Sequence, residues 1–221
     1  MHRVKVRSEF QELRPTKIVC LLRSYAAHAR ELGNEVPERP RIFLKPPSSL
    51  LPDGSVIIIP KGVTSLHHEV ELAMVMGKRG KDIPADSAME HVALFLPMLD
   101  ITARDVQDEA KSRGLPWTEA KGYDTFAPFG PEAAPASEFD WRSRRIWLSV
   151  NGELRQDGNT DLLLFDPSRI IAEISRIMTL EVGDIIMTGT PAGVGPLADG
   201  DIVEAGIDGI GSMRFRVARQ D

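Results

Sequence analysis

Apolar and polar positions alternate with a period of two along much of this chain, the spacing of strands with distinct faces. Lys17 to Leu22 and Val56 to Ile59 read as apolar strands, the second closed by Pro60. From His68 to Met76 the alternation sets Val70, Leu72, Met74 and Met76 on one face and Glu69, Glu71, Ala73 and Val75 on the other. An extended run leads into Asp100. Ile146 to Val150 and Glu153 to Gln156 flank Asn151-Gly152, a pair suited to the type I′ turn of a hairpin. Asp184 to Thr188, Asp201 to Ala205 and Met213 to Val217 predict three more strands. The last sets Met213, Phe215 and Val217 against Arg214 and Arg216.

Helical spacing is rarer. Ser24 offers an N-cap to a short helix over Tyr25 to Leu32 that Gly33 ends. A helical turn is expected over Ser87 to His91, and a helix from Arg104 to Ser112, stopped by Gly114. Asp166-Pro167 opens another, with an apolar stripe of Ile170, Ile171, Ile174, Ile177 and Met178. Residues 34–54 carry many prolines around a short Ile42–Leu44 strand, and 122–141 read as loop. The expected fold class is α+β and β-rich: one domain over 1–221, with no repeat and no linker.

Composition narrows the partners. Net charge is −5 with a pI near 5.6, and no basic stripe appears, so nucleic acid is not an expected partner. The longest mainly apolar run, Val92 to Ile101, is about half of the roughly 20 residues that cross a bilayer, and no membrane partner is expected. The first residues hold no apolar signal region, and the single Cys20 excludes an intrachain disulfide; both fit a cytoplasmic protein. Cys20 has apolar neighbours and reads as a buried strand residue, not a catalytic thiol.

The informative charges are acidic. Glu69 and Glu71 share a strand face at a separation of ~6–7 Å, where they repel and lose hydration. A divalent cation would compensate, and an all-carboxylate set favours Mg²⁺, Mn²⁺ or Ca²⁺ over zinc. Paired glutamates are also common on solvated edge strands, and the pattern alone leaves both readings open. Asp100 is a third candidate ligand or a helix N-cap, a role open to Thr102 as well. His28 and Glu31 lie three apart on the short helix, as a surface pair or as a base oriented by a carboxylate. His67 and His68 do not have the spacing of the helical His-Glu-x-x-His zinc pattern, so at most one would face the site. Lys121 is a solvated charge or a second cation beside a developing enolate. The glycine-rich stretch Thr188 to Gly195 matches no nucleotide loop; it is a tight turn or a cradle for a substrate carboxylate.

Five ordered stretches resemble the fumarylacetoacetate hydrolase family, specifically its short acylpyruvase-like members. They are His-His-Glu-Val-Glu-Leu with Met-Gly-Lys at 67–78, Asp-Ile-Thr-Ala-Arg-Asp-Val-Gln at 100–107, residues 114–128, Val-Asn-Gly-Glu-Leu-Arg-Gln at 150–156 continuing to Thr160, and Thr-Gly-Thr-Pro-Ala-Gly-Val-Gly-Pro at 188–196. The resemblance implies a mixed β-sandwich roll over 17–219, with 1–16 as an N-terminal extension, and a homodimer. It implies Mg²⁺ or Mn²⁺ on Glu69, Glu71 and Asp100, with Ca²⁺ able to stand in within crystals. It places Lys121, Thr190, Arg23, Tyr25 and Gln107 around a small 2-oxo or 2,4-dioxo acid, and makes His28 and Glu31 a catalytic dyad. Two departures bear on the site: the family usually has Gly-Arg-Asn-Tyr at Leu22-Arg23-Ser24-Tyr25, and Gly-Tyr at Leu94-Phe95.

The implied activity is metal-dependent hydrolysis of a C–C bond in acylpyruvates, with oxaloacetate decarboxylation as a second activity. Both reactions leave pyruvate enolate, and only the first needs a base to deliver water. The alternatives are an oxo-acid isomerase or tautomerase and, of another class, a non-catalytic dicarboxylate-binding paralogue.

Overall fold

The computed structural model describes residues 2–22, 24–25 and 37–220. Its strands in chain order begin with β1 (Arg3–Val6), β2 (Glu9–Glu12), β3 (Ile18–Leu21), β4 (Ile42–Lys45), β5 (Leu50–Pro52) and β6 (Val56–Ile59). Next come β7 (Leu66–His68), β8 (Val70–Met76), β9 (Val92–Leu99), β10 (Thr102–Ala103), β11 (Ala127–Phe129) and β12 (Glu132–Pro135). The last are β13 (Arg145–Val150), β14 (Glu153–Asn159), β15 (Ile185–Met187), β16 (Gly195–Leu197), β17 (Ile202–Ile207) and β18 (Gly211–Arg219). The α-helices are α1 (Arg104–Arg113), α2 (Thr118–Lys121) and α3 (Pro167–Ile177).

The largest sheet runs β2-β1-β12-β9-β8-β15-β3-β4, with β11 joined to β9 and β5. A second sheet has the order β14-β13-β17-β18-β6, and a small third one β10-β7-β16. Pairing is mixed: β1–β12, β15–β3, β11–β5 and β18–β6 are parallel, and β8–β9 and β13–β14 are antiparallel.

The large sheet buries both faces, which is why every β8 residue is buried. One face sends Val70, Leu72, Met74 and Met76 into a core shared with Leu148, Val203, Phe215 and Val217 of the second sheet. The other sends Ala73 and Val75 into a second cluster with Ile18, Cys20, Met98 and Phe129. The two faces match the sequence alternation, and so does β18, where Met213, Phe215 and Val217 are buried between exposed arginines. Truncating Phe215 to alanine in such a core costs ~3–5 kcal/mol.

Local signals hold where turn chemistry is strict. Asn151 and Gly152 both take positive φ, 53° and 79°, in the β13–β14 turn. Gly114 takes φ 65° and ends α1. Asp166 caps α3 by accepting from Ser168 N–H. Other expectations need correction. The segment 122–141 is not all loop, because β11 and β12 lie within it and β12 joins β9. The residues of β1 also belong to the sheet, with Val4 and Val6 buried. Ile177 does not extend the α3 stripe; it is 64% exposed at the helix end. The predicted 25–32 helix lies, apart from Tyr25, outside the described residues. No described helix is long and apolar enough to cross a membrane.

Candidate functional site

The expected strand from His68 to Met76 breaks at Glu69, between β7 and β8. The break sets the site. β8 and β9 pair with Val70 opposite Leu99, so the next step along the ladder brings Glu69 beside Asp100. Asp100 N–H donates to the Glu69 carbonyl at 2.8 Å and closes that step. Glu71, one residue inside β8, shares the side of Ala73 and Val75. Glu69, Glu71 and Asp100 thereby offer oxygens that all lie within 4.8 Å of one another, and all three residues are buried. Asp100 caps no helix, because α1 begins after Ala103 without a side-chain cap.

Charges from outside β8 answer two of these carboxylates. Lys121, at the end of α2, donates to Glu69 Oε2 at 3.0 Å, Asp100 Oδ2 at 2.6 Å and Thr102 Oγ1 at 2.6 Å. Arg104, opening α1, pairs with Glu69 and donates to Gln107 Oε1 at 2.5 Å. Lys45, at the end of β4, sits 2.8 Å from Asp100 Oδ1 and donates to the Ile101 and Lys121 carbonyls at 3.0 and 2.7 Å. Burial depresses the Lys45 ammonium, although Asp100 opposes that shift. Burial also depresses Lys121, but Asp100 and Glu69 outweigh it and hold that ammonium above its ordinary range.

Glu71 differs from its two companions. It accepts the Gly189 N–H at 2.6 Å, and no lysine or arginine pairs with it among the described residues. Burial pushes its carboxyl well above the usual range, and repulsion from Asp100 and Glu69 adds to the shift. Asp100 Oδ1 is buried and faces the Lys45 ammonium at 2.8 Å. A compact, all-oxygen, anionic donor set with one carboxyl short of positive charge fits a hard divalent ion.

The opposite wall is neutral. Thr188 N–H and Oγ1 both donate to the Leu72 carbonyl, and the Ser24 hydroxyl donates to the Thr188 carbonyl. Gly189 takes φ +94°, and a Cβ there would lie 1.7 Å from Ser24 Oγ. Positive φ at Gly189 and Gly193 redirects the chain here, and Gly189 delivers a backbone N–H to Glu71. Thr190 Oγ1 accepts from Gln156 Nε2 at 2.7 Å. Tyr25 is buried, and its phenol is pushed up first by burial and then by the Glu71 charge.

The structure thus brings Lys121 directly onto Glu69 and Asp100, and links Gln107 to Glu69 through Arg104. Tyr25 and Thr190 flank Glu71 and Gly189. Arg23, His28 and Glu31 lie outside the described residues. Neither histidine beside Glu69 belongs to the carboxylate group. His67 Nδ1 accepts from Arg104 at 3.4 Å, and burial, with the Arg104 charge, lowers its pKa to about 4. His68 is buried against Gln156. Leu94 and Phe95 pack into the two apolar clusters, Phe95 against Phe139, so that departure is absorbed by the core.

Sequence reasoning missed Lys45, Arg104 and Gln156 as parts of the site. Arg104 had left a signal, because a cation in the first turn of a helix opposes the macrodipole and needs a partner. Lys45 had left little, as a lysine before Pro46-Pro47 looks like a strand end meeting solvent.

Comparison with known proteins bears on this arrangement. The family described as "Fumarylacetoacetate (FAA) hydrolase C-terminal" matches residues 17–218. Oxaloacetate tautomerase FAHD1, mitochondrial, from Arabidopsis thaliana is 50% identical over 205 residues, covering 93% of this chain and 92% of the relative. The crystal structure of fumarylpyruvate hydrolase from Pseudomonas aeruginosa in complex with Mn²⁺ and pyruvate superposes with a TM-score of 0.93 at 36% identity, covering 99% and 96% of the two chains. That of 5-carboxymethyl-2-hydroxymuconate delta-isomerase from Mycobacterium smegmatis gives 0.85 at 38% identity, covering 97% and 84%. These relatives are a tautomerase, a hydrolase and an isomerase on one scaffold. The mixed-sheet, β-rich fold and the match over 17–218 say the same thing: the chain belongs to the fumarylacetoacetate hydrolase family.

Proposed function

We propose that this protein is a divalent-metal-dependent enzyme of small 2-oxo acids, whose main reaction is keto–enol interconversion of oxaloacetate or a close 2-oxo dicarboxylate. The metal-dependent part rests on the buried Glu69, Glu71 and Asp100 group with Lys121 Nζ bridging two of its members, and the choice of reaction is supported by the 50% identity to oxaloacetate tautomerase FAHD1. Mg²⁺ or Mn²⁺ is the expected ion. When bound by these carboxylates it supplies a Lewis acid that polarises the keto group of a chelating 2-oxo acid.

The chain's own residues do the rest. Lys121, with all three protons committed, is a rigid second cation where negative charge grows on the C2 oxygen during enolisation. Thr190 and the Gly189 turn present short polar groups to the substrate carboxylate, and Gln107, Arg23 and Tyr25 shape the rest of the subsite. His28, oriented by Glu31, moves the C3 proton. The chain works as a homodimer, and light scattering giving a stable species near one chain mass of 24.4 kDa at micromolar concentration would refute that.

The test is the rate at which enol-oxaloacetate converts to the keto form, followed by ultraviolet absorbance with and without Mg²⁺. Metal-dependent acceleration over buffer is expected; a rate equal to buffer overturns the proposal.

Hydrolysis of 2,4-dioxo acids is the second reading, favoured by the likeness to the fumarylpyruvate hydrolase. It needs His28 as a base toward water. His28→Ala should then lower acylpyruvate hydrolysis by about 10²–10⁴-fold while metal binding survives. Oxaloacetate decarboxylation uses no attacking water and should fall less. Hydrolysis at the wild-type rate would remove His28 from this role.

A further inference from the structure

Gln156 lies on β14, fully buried, with its side-chain amide engaged on all sides. Oε1 accepts the Val70 N–H at 3.0 Å and lies 3.1 Å from His68 Nδ1. Nε2 donates to the Pro191 carbonyl at 2.9 Å and to Thr190 Oγ1 at 2.7 Å. Two of these partners have fixed polarity. A backbone N–H only donates and a carbonyl only accepts, so together they decide which end of the amide is oxygen. The other two partners must then comply. His68 has to present Nδ1–H, and the Thr190 hydroxyl has to accept. A hydroxyl that accepts from one side directs its own proton elsewhere.

We propose that Gln156 is a positioning residue that holds Thr190 as a hydrogen-bond donor toward the substrate, so that the site selects an acceptor-only group such as the carboxylate of a 2-oxo acid. The inference rests on Thr190 contacting substrate, as proposed above. The Val70 N–H ties the amide to the strand that carries Glu71, and Pro191 ties it to the turn that carries Gly189 and Thr190. The hydroxyl is thereby set relative to the carboxylate cluster by one side chain. Because Gln156 is uncharged, the setting does not change with pH.

Two variants separate polarity from packing. In Gln156→Glu, assayed at a pH where the new carboxyl is ionised, the carboxylate only accepts, so it draws the Thr190 proton back to itself. Gln156→Leu loses more hydrogen bonds but leaves the hydroxyl free to turn to the ligand. Pyruvate binding to the Mn²⁺-loaded protein, and KM and kcat for oxaloacetate, are measured for both, alone and combined with Thr190→Val. Polarity control predicts a loss of pyruvate affinity of about tenfold or more in Gln156→Glu and about threefold or less in Gln156→Leu. It predicts that this appears in KM rather than kcat, and that Thr190→Val abolishes the gap. Equal losses in the two variants, or a gap that survives Thr190→Val, overturn it.

If a variant does not fold, the wild-type protein still decides. Nitrogen-15 NMR of His68 should show a protonated Nδ1 and a bare Nε2, and the opposite tautomer overturns the inference. Wild-type protein that binds Mn²⁺ but no pyruvate would fail the functional reading itself and remove the basis for this role, a result distinct from equal losses in the variants.

Discussion

The two walls of the site solve the same problem by opposite means. On one side Glu69 and Asp100 are surrounded by Lys121, Lys45 and Arg104, and their positions depend on full charges. On the other, Gly189, Thr190, Gln156 and Ser24 are fixed by hydrogen bonds between neutral groups. Glu71 stands between them, a carboxylate with a neutral partner. Buried ion pairs are costly to assemble and costly to break, whereas neutral buried networks are insensitive to pH. In the proposed reaction the charged wall would stabilise a developing anion, and the neutral wall would orient the substrate. Glu71, short of positive charge, marks where a cation adds most.

The largest effect expected from breaking this contrast is at Lys121. Lys121→Met leaves two buried carboxylates without their shared cation, at a cost of ~3–5 kcal/mol in the metal-free protein. Turnover should fall by about 10²–10³-fold, as for loss of an oxyanion donor. Divalent metal affinity should not weaken, because a competing positive charge has gone. Chemical denaturation and metal titration of the same variant check both halves, and weaker metal binding would show that Lys121 supports the metal rather than the substrate.

Next comes the neutral wall. Gly189→Ala adds strain at φ +94° and a contact with Ser24 Oγ that has to be relieved by backbone movement. A left-handed non-glycine residue alone costs ~1–3 kcal/mol. Melting temperature should drop, and metal affinity should drop with it because the Gly189 N–H leaves Glu71. A variant with lowered stability and unchanged metal affinity would separate the turn from the metal site.

The smallest effect is a slope. The Glu71 carboxyl titrates higher in the folded chain than in the unfolded one. Between those two values the folded state holds more protons, so the metal-free protein loses stability as pH rises through the window from about 4.5 upward. The contribution is at most ~1.4 kcal/mol per pH unit. Glu71→Gln should flatten that slope in urea unfolding followed across pH, and saturating Mg²⁺ should flatten it in the wild type. A slope unchanged in Glu71→Gln would assign it to another group.

Much of this was legible in the chain, for identifiable reasons. Strand faces were readable in β8 and β18 because burial on a pleated sheet enforces a period of two. The Asn151-Gly152 turn was readable because few residues tolerate positive φ, and the Asp166-Pro167 helix start because an aspartate side chain caps a free N–H and proline has none to leave unpaired at the first helical position. The carboxylates were visible as a group, and their convergence follows from β8–β9 register. Lys121 was readable as a candidate cation, but its meeting with Lys45 and Arg104 was not, because the three come from separate elements brought together only by the folded chain. Gln156 was hidden differently: inside a hairpin strand a glutamine looks like an outward polar residue, and its partners His68, Val70, Thr190 and Pro191 come from distant stretches of the chain. The short strands β11 and β12 were lost among glycine and proline, where packing against β9 outweighs local preference.

The central claim is that Glu69, Glu71 and Asp100 form one divalent-metal site on which 2-oxo acid chemistry depends. Calorimetric titration of Mn²⁺ into metal-free wild type and Glu71→Ala tests it most directly. Loss of a group that merely supports a ligand costs about 10–100-fold in metal affinity, so loss of the ligand itself should cost at least that much. The account predicts one ion per chain in the wild type and affinity weakened by about a hundredfold or more in the variant. Equal affinity in the two proteins would contradict it.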